Sequence, residues 1–191
     1  HHIATMEGGC IVTDDEELYN ILLVIRAHGW TRNLPADNLI TEKHIDSFEE
    51  QFRFILPGYN VRPLEMSGAI GIEQLKKLPD FIKMRRKNAS KLLSLFEPLE
   101  FIQLQKEIGQ SSWFGFSITL MENSPFSRKD LIKLFMNKNI ECRPIVTGNF
   151  LKNKEVLKFF DYEVAGDVNN AEYIDQNGLF VGNNHTDMTN E

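Results

Sequence analysis

No stretch of the chain is apolar for the roughly 20 residues that a membrane-spanning helix needs, which excludes a helical span. Cysteine is scarce. Cys10 and Cys142 are the only two, too few and too far apart for a disulfide framework or a CxxC metal site, and both read as small buried apolar residues. Positive charge is short as well, with 21 Lys and Arg against 27 Asp and Glu and a formal net charge of −6. A broad basic surface for nucleic acid is thereby excluded, although single cationic groups remain available to grip phosphates. The sequence also lacks HxxxH and HExxH zinc patterns, a GxSxG elbow, a Walker loop and a dinucleotide fingerprint, so no metal is expected and any chemistry belongs to another cofactor. The basic and apolar regions of a secretory signal are missing too, which makes a reducing cytoplasm the expected location.

What remains is the composition of a globular protein, 42% hydrophobic and 25% charged, without repeats or low-complexity tracts. Cys10 to Thr13 reads as a short strand, followed by a helix whose start is favoured by Asp14 to Glu17 and whose apolar face is Leu18, Ile21, Leu22 and Ile25. That helix is expected to stop near His28-Gly29. The polar segment from Trp30 to Phe54 is long for a loop without a task and suggests a binding segment. Pro63 suits the first turn of a second helix, and Pro79 interrupts its pattern, so a domain boundary is expected near residue 76. Beyond it FIQL, WFGFSITL, ECRPIV and LFVG read as strands. Ser127 caps a helix over Arg128 to Asn137, and further helical segments lie near 153–160 and 169–176.

The chemistry-bearing phrase is HHIATMEGG at the start. Adjacent histidines alone also fit a tag remnant or a surface pair, but this phrase runs through a glycine pair into the strand and helix just described. It resembles the signature of the DegT/DnrJ/EryC1/StrS family of sugar aminotransferases: lysine, any residue, an aliphatic residue, two small residues, then GEGG. Glu7, Gly8 and Gly9 match, Met6 departs from the glycine, and His1 stands where the family has its cofactor-binding lysine. An imidazole cannot tether the cofactor's aldehyde as an amine does. It is a base with a reference pKa of about 6.5 rather than about 10.4, suited to moving protons near neutrality.

A small branch of the family, the nucleotide-sugar 3-dehydratases, has histidine here. RAHGWTRNLP, PGYNVRPLEMSGAIGIEQLKKLP, SSWFGFS, IECRPIVTGNFLKN and NGLFVGN resemble that branch too, so the likeness covers essentially the whole chain. It implies a fold-type-I α/β pyridoxal-phosphate enzyme, aspartate aminotransferase-like. Residues 1–76 would be the C-terminal part of its large cofactor-binding domain and residues 77–191 its small α+β domain. The chain begins at His1 rather than at methionine, and an N-terminal half carrying most of the cofactor cradle is expected; without it, cofactor would bind poorly.

The resemblance further implies pyridoxal and pyridoxamine 5'-phosphate bound without a covalent link, L-glutamate as amino donor, a GDP-linked 4-keto-6-deoxy sugar as substrate, and a homodimer with shared active sites. His1 would move the proton. Asn60 would reach the cofactor phosphate across the dimer interface, with a turn asparagine as the alternative. His28, Arg62 and Phe52 would bind glutamate, against a helix-end histidine, a surface ion pair and plain core as alternatives. Arg32 and Glu141 would contact the sugar nucleotide, although Glu141 also suits a pair with Arg143. Trp30, Trp113, Phe114 and Phe116 read as packing residues rather than guanine stackers. The related CDP-sugar dehydratase, which depends on an iron-sulfur partner, also has histidine here, but the long blocks favour the GDP enzyme; the rival functions are an aminotransferase that tolerates histidine and an inactive piece that only folds or dimerises.

Overall fold

A computed structural model describes residues 1–188 of the chain. Its contacts divide into two units: Ile3–Leu75, and the residues from Lys76 onward together with His1–His2.

In the first unit, α1 (Glu16–Ile25) begins where the Asp15 side chain accepts a hydrogen bond from the Leu18 amide, with Glu16 and Glu17 in the first turn to complement the helix dipole. It ends three residues before His28. There the chain enters the left-handed region at His28 (φ 62°) and Gly29 (φ 90°), which no helix can continue through. The short α2 (Ser47–Gln51) is capped by Asp46. Cys10 to Thr13 form no strand: Ile11 is 72% and Val12 87% exposed, and an extended segment with no neighbour has no ladder to join. Cys10 is accordingly exposed rather than buried.

α3 (Glu65–Phe96) starts two residues after Pro63 and runs unbroken through Pro79. The sequence pattern predicts an interruption there because proline removes one backbone bond and crowds the preceding turn, at about 3 kcal/mol. The helix tolerates that loss with the ring on an exposed position.

The second unit is built on a four-stranded antiparallel sheet, ordered β1 (Ile102–Leu104), β2 (Gly115–Leu120), β4 (Gly178–Gly182), β3 (Cys142–Arg143). Central β2 is largely buried on both faces, with Phe116, Ile118 and Leu120 on its apolar face, and Phe116 and Ile118 pair across with Val181 and Leu179. Phe116, Ile118 and Leu179 are each 1% exposed, and Trp113 and Ala89 pack against Phe116. Because β3 is a two-residue edge strand, Cys142 is only partly buried. α4 (Arg128–Asn137) carries a full capping box, Ser127 with Asp130. A single 3-10 turn (Phe150–Lys152) and α5 (Lys154–Leu157) stand in for the longer helix expected near 153–160. α6 (Asn169–Asn177) feeds straight into β4, and Tyr173 donates its hydroxyl to the Leu120 carbonyl at 2.9 Å. Gly178 is needed at that junction, since a Cβ would run into the Ile174 carbonyl.

No helix among the described residues is long and apolar enough to cross a membrane. Removing the ring at the centre of the sheet should cost about 3–5 kcal/mol, the usual penalty for a buried Phe→Ala change. Urea unfolding of Phe116→Ala against the parent checks this, with the unfolding midpoint expected to fall.

Candidate active site

Backbone geometry builds the first group of residues. Residues 25–31 and 53–61 are laced together: His28 N donates to Tyr59 O (2.8 Å), Tyr59 N to Ile25 O (2.7 Å), Val61 N to Arg26 O (3.0 Å), Ile55 N to Gly29 O (3.0 Å) and Thr31 N to Arg53 O (3.1 Å). Two bridges, Ala27 with Asn60 and Trp30 with Phe54, complete the crossing. It is possible only because Gly29 and Gly58 lack side chains. A Cβ on Gly29 would strike the Leu56 carbonyl, and one on Gly58 the Gly29 amide nitrogen.

This crossing brings four of the sequence-derived residues into one cluster and places a fifth near it. Arg62 Nε donates to Asn60 Oδ1 at 3.2 Å, and its Nη2 lies 3.5 Å from His28 Nε2. The His28 ring sits 4.7 Å from that of Trp30. Arg32 stacks on the indole at 3.8 Å, is held by the Gln51 carbonyl at 2.9 and 3.2 Å, and lies 5.7 Å from Phe52. Among the described residues neither Arg32 nor Arg62 forms an ion pair. Two guanidiniums on one aromatic ring, without a carboxylate, are a ready seat for a carboxylate or a phosphate. Phe52 is 57% exposed, so FRF is not core. Trp30 is likewise more than packing, because it carries both arginines.

The loop from Trp30 to Phe54 is held by a buried carboxylate. Glu50 accepts from the His44 amide at 2.8 Å and from Arg53 Nη1 at 3.2 Å, while the Thr31 hydroxyl bonds the Glu50 carbonyl at 3.1 Å. The Thr31 hydroxyl first, then the His44 amide, outweigh burial, and with Arg53 they lower the Glu50 pKa to about 2.

The second group lies in the other unit. The His1 ring is exposed and stacks on Phe114, with centroids 4.6 Å apart and planes 25° apart. His2 is 6.2 Å from the same ring, and its Nε2 is 2.6 Å from Ser112 Oγ. Phe114 continues to Phe180 at 5.8 Å, over which Arg143 lies at 5.0 Å. Glu141, at the entrance to β3, is exposed, and among the described residues no ion pair joins it to Arg143. Phe114 is thus partly exposed and in contact with His1, unlike the buried Trp113 and Phe116. Sequence spacing gave no signal for the His2–Ser112 bond or the Phe114 platform. Among the described residues no group of three His, Cys, Asp or Glu is placed to hold a metal ion.

The whole chain, residues 1–191, matches the model of the DegT/DnrJ/EryC1/StrS aminotransferase family. It is 68% identical over its full length to a GDP-4-keto-6-deoxy-D-mannose 3-dehydratase of Yersinia pseudotuberculosis, covering 49% of that protein. It superposes with a TM-score of 0.93, at 63% identity, on the Escherichia coli GDP-4-keto-6-deoxy-D-mannose-3-dehydratase with bound hydrated PLP, covering all of this chain and 49% of the other. A mutant of a GDP-4-keto-6-deoxymannose-3-dehydratase with bound GDP-perosamine superposes equally well, at 0.93 and 63% identity, over 99% of this chain and 49% of that one. The chain belongs to the DegT/DnrJ/EryC1/StrS aminotransferase family. Its fold is accordingly a partial fold-type-I α/β structure, as the opening motif implied. The chain spans about half the length of the curated relatives it matches.

Stability should fall with acid in a defined window. The Glu50 pKa drops on folding from 4.5 to about 2, so its contribution is fully present above pH 4.5 and disappears as pH falls towards 2. Urea titrations from pH 6 to about pH 2 check this, with Glu50→Gln flattening the slope.

Proposed function

We propose that this chain serves a 3-dehydratase that removes the C3 hydroxyl of GDP-4-keto-6-deoxy-D-mannose, with L-glutamate as amino donor, giving GDP-4-keto-3,6-dideoxy-D-mannose on the way to GDP-colitose and O-antigen. The cofactor is pyridoxal or pyridoxamine 5'-phosphate held without a covalent bond, the enzyme a cytoplasmic homodimer. The observation that carries the reading is the exposed imidazole of His1. It stands at the motif's lysine position and is hydrogen-bonded to nothing among the described residues. The high identity to named 3-dehydratases supports the same reading.

The residues present fit the cofactor and donor. Asn60, Arg62 and His28 form a polar, cationic group with no carboxylate among its hydrogen-bond partners in the described residues, which suits the phosphate and the two carboxylates of glutamate. When bound, the cofactor supplies the electron sink that lets a C–O bond beside the former ketone carbon break, and glutamate renews its amine. Arg62 and His28 hold the glutamate carboxylate, and Phe52 walls that pocket. Asn60 donates its amide to the phosphate held by a second copy of the chain. Arg32 and Glu141 orient the sugar nucleotide. His1 carries the proton that the departing C3 hydroxyl needs, a task an imidazole can perform. Without an amine at position 1, no side chain there anchors the cofactor. The apolar side chains around the cluster support a covering second copy: Phe52, Phe54, Tyr59 and Val61 are each more than half exposed.

Incubating the complete protein with GDP-4-keto-6-deoxymannose, glutamate and pyridoxal phosphate should yield a 3-deoxy sugar, ammonia and 2-oxoglutarate by mass spectrometry. An amino sugar would instead identify an aminotransferase. Replacing the proton carrier, His1→Asn, should slow dehydration by about 10²–10⁴-fold, the usual worth of a positioned acid–base group. Arg62→Lys should raise the KM for glutamate roughly tenfold, because a point charge cannot make the forked pair.

A further inference from the structure

We infer that the Ser112–Phe114 turn is a positioning device for His1: Ser112 fixes the ring of His2, Phe114 offers its face to His1, and together they set the plane of the proton-carrying imidazole. The inference rests on the reading of His1 as the proton carrier and adds residues that the reading does not use.

The turn is held in a conformation that its sequence does not favour. Trp113 sits at φ 53°, in the left-handed region that bulky side chains rarely occupy. A buried network holds it there. Trp113 N donates to Ser111 Oγ at 2.9 Å, and Asn183 Nδ2 donates to the carbonyls of Trp113 (2.8 Å) and Arg85 (2.9 Å). The Phe114 carbonyl accepts from the Asn183 amide at 3.1 Å and from Arg85 Nη1 at 3.3 Å. Arg85 Nη1 also bonds the Asn183 carbonyl, and Asn88 bonds the Asn183 side chain at 3.4 Å. Asn183, Arg85 and Asn88 are all buried. With Trp113 so turned, its indole is buried against Phe116 while the next ring, Phe114, stays partly open and meets His1.

The type of contact suits the task. A hydrogen bond would orient an imidazole by occupying one of its nitrogens, whereas a flat apolar ring restrains the plane and leaves both nitrogens free to exchange a proton. His2, one residue on, is tied through Nε2 to Ser112 at 2.6 Å, which limits the swing of the backbone that bears His1. The groups facing His2 agree with a neutral, structural ring: burial first, then the charges of Arg85 and His185, lower its proton affinity.

Two readouts test the device. In the chain labelled with 13C-histidine, the ring protons of His1 should resonate upfield because they lie over Phe114, and Phe114→Leu should abolish that shift while Phe114→Tyr restores it. In the complete protein, Phe114→Leu should lower kcat by up to about a hundredfold, the cost of misplacing a reacting group by about 1 Å, with KM unchanged and Phe114→Tyr recovering the rate. Ser112→Ala should act in the same direction on both readouts. An unshifted His1 in the parent chain, or full kcat in a folded Phe114→Leu variant, overturns the inference. A parent protein that makes no 3-deoxy sugar overturns the proposed function instead, and the position of the His1 resonances then decides the stacking by itself.

Discussion

One buried amide holds together much of what lies around His1. The Asn183 side chain donates to two carbonyls from different segments, Trp113 and Arg85, and its backbone meets Phe114. A buried polar group is tolerated only when its bonds are made, and here each bond also fixes a piece of chain far away in sequence. The left-handed Trp113, the open face of Phe114 and the stacked imidazole all follow from it. In the other unit a comparable constraint comes from missing atoms: two glycines let the 25–31 and 53–61 segments cross, and the His28, Asn60 and Arg62 cluster is its product.

Both clusters carry cationic or imidazole groups that lack the usual neighbours among the described residues. Arg32 and Arg62 share an indole instead of a carboxylate, and His1 leans on a ring instead of a hydrogen bond. Other cations are paired with carboxylates, as Lys152 is with Glu172 and Asp175. The contrast sets Arg32, Arg62 and His1 apart from the cations that hold the fold through ion pairs.

The residues that meet in the two clusters were more legible in the sequence than their supports. The opening motif and the long flanking blocks pointed to His1, His28, Arg32, Asn60 and Arg62, and Ser127 announced α4 through its capping box. Misreadings came where local pattern met tertiary context. Cys10 to Thr13 has strand composition but no neighbour to pair with, and Pro79 has breaker chemistry but sits inside a helix long enough to absorb it. Phe52 and Phe54 alternate as core residues do, yet face outward. The His2–Ser112 bond joins residues 110 positions apart, and no periodicity encodes such a meeting.

The proline in α3 carries one more implication. Pro79 has no amide hydrogen, so the carbonyl of Leu75 cannot receive its ordinary i+4 bond, and this is where the contacts of the two units part. A rod of 32 residues is therefore stitched along its length except at one rung. Cooperative melting that starts in either stretch loses its relay at that rung, so the turns before and after it can open as separate events. Amide exchange along α3 would then proceed at two rates rather than one.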